Sequence, residues 1–138
     1  MPGTPTTVDA LVQLSFTVQL TLTRIAAENE LSVTSLRLLG ILRDRTPSMA
    51  AIAEHLDLDR SSVSGLIDRV ERRGLVERAR SDSDARVILV RATPAGLELA
   101  ETVGAQVTDR LERMLAPARR ADLAAIVRLT GALPQFPA

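Results

Sequence analysis

Residues 60–80 read Arg60-Ser61-Ser62-Val63-Ser64-Gly65-Leu66-Ile67-Asp68-Arg69-Val70-Glu71-Arg72-Arg73-Gly74-Leu75-Val76-Glu77-Arg78-Ala79-Arg80. A polar turn, Ser81-Asp82-Ser83-Asp84-Ala85, leads to Arg86-Val87-Ile88-Leu89-Val90-Arg91-Ala92 and then to Thr93-Pro94-Ala95-Gly96. Val63, Leu66, Ile67 and Val70 recur at i, i+3, i+4 and i+7, the spacing of one buried helix face. Gly74 closes that helix, predicted over 60–73. Residues 75–80 and 86–92 are rich in apolar and β-branched side chains and predict two strands joined by the polar turn.

Upstream, Ser48 can cap a short helix through Leu56, with Ile52, Ala53 and Leu56 facing inward. Asp57-Leu58-Asp59 forms a turn, and Asp59 or Ser61 caps the helix that follows. Downstream, Thr93-Pro94 supplies a cap followed by proline at the first helical position. Helix, turn, helix, hairpin and helix in this order is the layout of a winged helix-turn-helix, a module most often used to read duplex DNA.

Opposite the apolar stripe of helix 60–73, at about 100° per residue, lie Ser61, Gly65, Asp68 and Arg72, flanked by Ser62, Ser64 and Arg69. Such a face suits entry into a major groove. Small residues let the backbone approach, serine hydroxyls bond bases or phosphates, and arginine pairs bidentately with guanine. Glycine inside a helix costs about 1 kcal/mol relative to alanine, so Gly65 fits a need for close approach. A plain solvated face would carry the same serines. Beside the hairpin tip, Arg86 can enter a minor groove, with Asp84 holding its side chain through a charge-assisted hydrogen bond. As a bland alternative, Arg86 is a solvated turn arginine.

Charge is distributed to match. The 138 residues carry 17 arginines, no lysine and 17 acids, for a net charge of zero. Residues 60–91 hold eight arginines against five acids, residues 1–59 four against seven, and residues 92–138 five of each. The positive excess therefore falls on the suspected reading element, as a phosphate-binding surface requires. A lone arginine elsewhere carries little weight in a chain whose cations are all arginine.

Composition removes other functions. Cysteine is absent, which excludes disulfides, thiol catalysis and cysteine-ligated metals, and the single histidine, His55, reads as a surface or capping residue. With no glycine-rich phosphate loop either, no enzyme, cofactor or metal site is expected. No apolar run of membrane-span length is evident and the start lacks a signal-peptide pattern, so a cytoplasmic protein with no membrane partner is expected.

The flanks are less plain. From Val12 to Thr23 apolar and polar residues alternate strictly, a strand signal, yet the run is long for a strand and nothing breaks it. As a helix it spreads apolar groups round the axis and needs burial on several sides, which an intermolecular interface supplies. Helix is the reading taken, and periodicity alone does not decide it. Ser32 or Thr34 caps a next helix bearing Leu36, Leu39, Ile41 and Leu42, ending near Pro47. After Pro94, Leu97, Ala100, Gly104, Val107, Leu111 and Leu115 follow helical spacing to Pro117. A last helix covers roughly Arg119 to Leu133, with Leu123, Ile126, Val127 and Leu133 apolar.

Taken together, residues 8–133 resemble the MarR family of bacterial transcriptional regulators. The resemblance is carried by the stretch from Ser61 to Val76, the wing Asp84-Ala85-Arg86 and the join Leu89-Val90-Arg91-Ala92-Thr93-Pro94-Ala95-Gly96. It implies a mainly α fold with a small β-hairpin wing, a winged helix-turn-helix lobe over 30–92, and dimerisation helices over 8–29 and 93–133. Residues 1–7 would be a disordered lead to a single domain over 8–138. It further implies a homodimer on a pseudo-palindromic DNA operator, acting as a repressor, with a small anionic or phenolic effector releasing the DNA.

By position, Ser61, Ser62, Ser64, Gly65 and Arg69 match the family's groove-facing segment, Arg86 its wing-tip arginine and Asp84 the aspartate partner. Arg78 and Arg80 lie where backbone contacts are placed, and Arg72 completes the expected DNA-binding set. Ser83 departs from a position often basic, and Phe16 and Phe136, the only aromatics, depart from an aromatic-lined effector pocket. Absence of cysteine removes the peroxide-sensing branch. The competing reading is a winged-helix module for protein–protein contact without sequence-specific DNA binding, which would need an exposed apolar patch on the reading face.

Overall fold

The computed structural model describes residues 3–134. Met1 and Pro2 of the expected lead, and Phe136 with the rest of the tail from 135 to 138, lie outside the described residues. In chain order the elements are α1 (Thr7–Glu28), α2 (Val33–Leu42), α3 (Met49–Leu56), α4 (Arg60–Arg72), β1 (Val76–Arg80), β2 (Ile88–Ala92), α5 (Pro94–Leu115) and α6 (Arg120–Ala132). This is the mainly helical, hairpin-bearing architecture expected.

The ambiguous stretch is helical. Thr6 accepts from the backbone N–H of Asp9 at 3.1 Å while the Asp9 carboxylate accepts from the backbone N–H of Thr6, a reciprocal cap that starts α1. The threonines behind the strand-like alternation bond back to their own helix: Thr17, Thr21 and Thr23 donate to the carbonyls of Gln13, Thr17 and Gln19. Only Ile25 and Ala26 of α1 are buried, whereas Val8, Leu11, Phe16 and Leu20 are more than half exposed. One expectation fails here. By length and hydropathy α1 is the one described helix that reaches the membrane-span range, because its threonines and glutamines lower the mean hydropathy only to 1.2.

The core lies where α2, α3, α4 and the base of the hairpin meet α5. Leu38 and Leu39, Ile52, Val63, Leu66 and Ile67, and Val90 are all at most 1 % exposed. Full burial of each such side chain stabilises the fold by roughly 1.5–3 kcal/mol. β1 and β2 pair antiparallel, with Val76 opposite Ala92 and Arg80 opposite Ile88. The segment before α3 adds to this small sheet: the Val90 N–H donates to the Pro47 carbonyl at 2.9 Å, and Ser48 bridges Leu89.

Several boundaries now have physical reasons. Ser32 caps α2, and Asp59 caps α4. α4 stops at Arg72 because Gly74, at φ +73°, reverses the chain. The strands are shorter than expected. Ser81 N–H donates to Val87 O and Val87 N–H to Asp84 O, each at 3.0 Å, which leaves Arg86 and Val87 in the tip loop. α5 is also rotated from the expected phase: Gly96, Ala100 and Val103 are buried and Leu97 is 42 % exposed.

Gly96 sets that rotation. A Cβ there would lie 1.9 Å from the Leu75 carbonyl oxygen, so the start of α5 presses directly on the chain leaving α4. Thr93 completes the join, its hydroxyl donating to the Gly74 carbonyl and its N–H to Leu75 O at 3.0 Å. Gly96→Ala is accordingly expected to destabilise the fold by about 1–3 kcal/mol or more, as overpacking against backbone does, read from the urea unfolding midpoint. An unchanged midpoint would show that α5 can shift freely on the hairpin base.

Candidate nucleic-acid interface

The stripe Val63, Leu66, Ile67 and Val70 is buried, so the opposite face of α4 is turned to solvent. Asp59 fixes its beginning. Its Oδ1 accepts from the Ser62 N–H at 2.7 Å and from the Ser61 hydroxyl at 2.8 Å. These bonds, the backbone one foremost, hold its carboxyl below the ordinary aspartate value. Ser61 is thus partly committed to the cap, while the exposed side chains of Ser64 and Arg69 form no hydrogen bond or ion pair among the described residues. At Gly65 a Cβ would meet only the Arg69 Nη1, at 3.4 Å. No packing within the chain therefore requires a glycine there.

The arginines divide. Arg72 Nε donates to the Asp68 carbonyl at 3.3 Å. Arg73 is turned away from the face, donating to the carbonyls of Glu30 at 2.6 Å and Asn29 at 3.3 Å, which ties the end of α4 to the turn after α1. Arg78, expected at the DNA backbone, points inward: Nη2 reaches Asp68 Oδ1 and Nη1 reaches Glu71 Oε1, both at 2.7 Å, and its side chain is 29 % exposed. Arg80 is exposed at the end of β1 and free of ion pairs among the described residues.

At the tip, the expected Asp84–Arg86 pair forms. Asp84 Oδ1 accepts from the Arg86 backbone N–H at 3.0 Å and Nε at 3.1 Å, and Oδ2 accepts from Nη2 at 3.2 Å. The Arg86 side chain is nonetheless 90 % exposed, so the aspartate aims it without covering it. That guanidinium holds the Asp84 carboxyl below its ordinary value, and the aiming contact persists at neutral pH. Between α3, the start of α4 and the tip runs a cleft of about 430 Å³ lined by Met49, Ala53, Arg60, Val63, Arg86 and Val87 among others. It brings Arg60 to the same face as Arg86. The sequence places Arg60 in the positive block without assigning it a contact, and only the folded hairpin reveals the proximity.

His55 is exposed near the end of α3, and no three His, Cys, Asp or Glu side chains among the described residues cluster as a metal site would. No large apolar side chain between residues 49 and 96 is exposed among those described.

A short capped helix presenting a small, polar face, followed by an antiparallel hairpin with an exposed arginine at its tip, defines a winged helix-turn-helix. Residues 29–87 match the sequence model of the MarR family. Among solved structures, a MarR-family transcriptional regulator from Rhodococcus sp. RHA1 is 23% identical with a TM-score of 0.80, covering 94% of this chain and 91% of its own. CouR from Rhodococcus jostii RHA1, bound to p-coumaroyl-CoA, is 24% identical with a TM-score of 0.79 over the same shares, 94% and 91%. Bordetella bronchiseptica BpsR is 21% identical with a TM-score of 0.76, covering 96% of each chain. At these identities the likeness establishes a shared fold over nearly the whole chain. No curated protein matches the sequence.

The Asp59 cap generates a pH-dependent expectation. Its carboxyl pKa is lowered by folding, so its contribution is complete above the ordinary aspartate value and lost as pH falls through the lowered one. Asp59→Ala should melt below the parent at neutral pH, with the gap closing in acid. Asp59→Asn, which caps without a charge, should melt near the parent at neutral pH. A gap that persists unchanged to low pH would contradict the capping role.

Proposed function

We propose that the protein is a sequence-specific double-stranded DNA-binding transcriptional regulator that works as a homodimeric repressor on a pseudo-palindromic operator. The observation that carries this reading is the joint exposure, on one side of the lobe, of the small polar face of α4 and the aspartate-aimed Arg86. In this reading α4 enters the major groove, with Ser61, Ser62, Ser64 and Gly65 close to bases and phosphates and Arg69 reaching guanine. Arg72, Arg80 and Arg60 face phosphates, and Arg86, positioned by Asp84, enters the minor groove. Arg78 serves through Asp68 and Glu71, clamping β1 to α4, which is the role its geometry favours over a phosphate contact.

The dimer reading is supported by apolar surface that a single chain leaves uncovered. α6 has no buried residue, and Val127 and Leu129 are more than half exposed, as are Val8, Leu11, Phe16 and Leu20 of α1. A second copy would cover both helices. The effector reading, a small anionic or phenolic molecule that releases DNA, is supported by similar structures. CouR is bound to p-coumaroyl-CoA, and BpsR's DNA binding is regulated by 6-hydroxynicotinic acid. The protein–protein alternative is disfavoured because no large apolar side chain between residues 49 and 96 is exposed among those described.

Arg86→Ala should weaken binding to a selected operator fragment by roughly tenfold or more, corresponding to about 1–3 kcal/mol, with the fold intact by circular dichroism. Binding equal to the parent's would remove the wing from the interface. Gly65→Ala separates function from stability: the substitution should raise unfolding stability by up to about 1 kcal/mol while lowering operator affinity. If both rose or stayed level, the backbone of α4 would not approach DNA at this position.

A further inference from the structure

Residues 1–59 are net acidic, yet three of their four arginines line one groove. Arg37, Arg43 and Arg45, with Gly40, Ile41, Asp44 and His55, bound a polar groove of about 390 Å³ between α2 and the end of α3. Asp44 is its single acid and lies 3.8 Å from Arg45. Outside the groove the same segment holds one arginine, Arg24, against six acids. The guanidiniums of Arg37 and Arg43 form no hydrogen bond or ion pair among the described residues.

Two features here are not accounted for by a contact among the described residues. Like charges gathered without matching acids repel. Gly40 lies in the last turn of α2, and a Cβ there would meet no atom within 4 Å, so no packing demands a glycine. Gly40 lies between Arg37 and Arg43 at steps of three along α2, on the side that lines the groove. With no side chain on Gly40 between them, the guanidiniums of Arg37 and Arg43 leave room for an oxyanion that takes charge-assisted bonds from both. Arg43 also reaches α5: its Nη1 lies 3.7 Å from where a Cβ on Gly104 would stand.

We propose that this groove is a phosphate-binding site, held by Arg37 and Arg43 with Arg45 at its edge, and distinct from the α4 and wing face. Its phosphate comes from one of two sources: a phosphorylated small molecule, or the backbone of DNA flanking the operator. Occupancy by a small molecule would bear on α5 through Arg43.

The full chain, Arg37→Gln, Arg43→Gln and the control Arg24→Gln are titrated with inorganic pyrophosphate by calorimetry, and with genomic DNA fragments at stepped salt. Saturable pyrophosphate binding, weakened tenfold or more by each groove substitution and unchanged by Arg24→Gln, supports the site with a small-molecule source. Absence of that binding, with the salt slope of DNA binding falling by about one for each groove arginine removed, supports the backbone source. No effect in either arm, or an equal effect from Arg24→Gln, overturns the proposal. So does a groove variant that unfolds below the parent, which would mark a structural arginine. The pyrophosphate arm reads the groove even if the protein binds no DNA, so failure of the DNA reading and failure of this one are separable.

Discussion

The rotation of α4 about its own axis governs everything else in this molecule. Val63, Leu66, Ile67 and Val70 are each at most 2 % exposed, and together their burial is worth on the order of 6–12 kcal/mol, an upper estimate comparable with the whole stability of a small domain. Turning the helix by one residue would expose part of that stripe. The serines, Gly65 and Arg69 are therefore held outward by the core behind them, whatever they bind. The pressed join of Gly74, Leu75, Thr93 and Gly96 then locks the hairpin and α5 to the end of that helix, so reading face and frame move as one piece.

Arginine is the chain's only basic residue besides His55, and the fold gives it opposite tasks. Arg73 and Arg78 are drawn into carbonyls and carboxylates and hold elements together. Arg110 likewise pairs with Glu28 to bind α5 to α1. Arg86 and Arg69 stay in solvent, where a phosphate or base edge can reach them. A net charge of zero is thus no bar to binding a polyanion. Of the acids near the reading face, Asp68 and Glu71 are engaged with Arg78, Glu77 with Arg91 and Asp84 with Arg86.

Much of this was legible in the sequence, and for identifiable reasons. The four-residue stripe of α4, the Asp59 and Ser48 caps, the Thr93-Pro94 start and the Asp84–Arg86 pair are local, and local spacing encodes them. What escaped depended on contacts distant in the chain. The inward turn of Arg78 needs Asp68 and Glu71 brought beside β1, and the phase of α5 follows from Gly96 meeting the Leu75 carbonyl. Neither is written in the periodicity around those residues. The alternation over 12–23 left helix and strand undecided by periodicity for a related reason: threonines bonded to their own helix carbonyls mimic a strand pattern, and Val12, Leu14, Phe16 and Leu20 between them stay exposed.

The central claim is that α4 and the wing together read duplex DNA as half of a two-fold assembly. Sequencing genomic fragments retained by the purified protein tests it most directly. The account predicts enrichment of a pseudo-palindrome whose half-sites are centred about 10 base pairs, one helical turn, apart or a multiple of it. Retention without any shared sequence, or of a single unrepeated half-site, would contradict it.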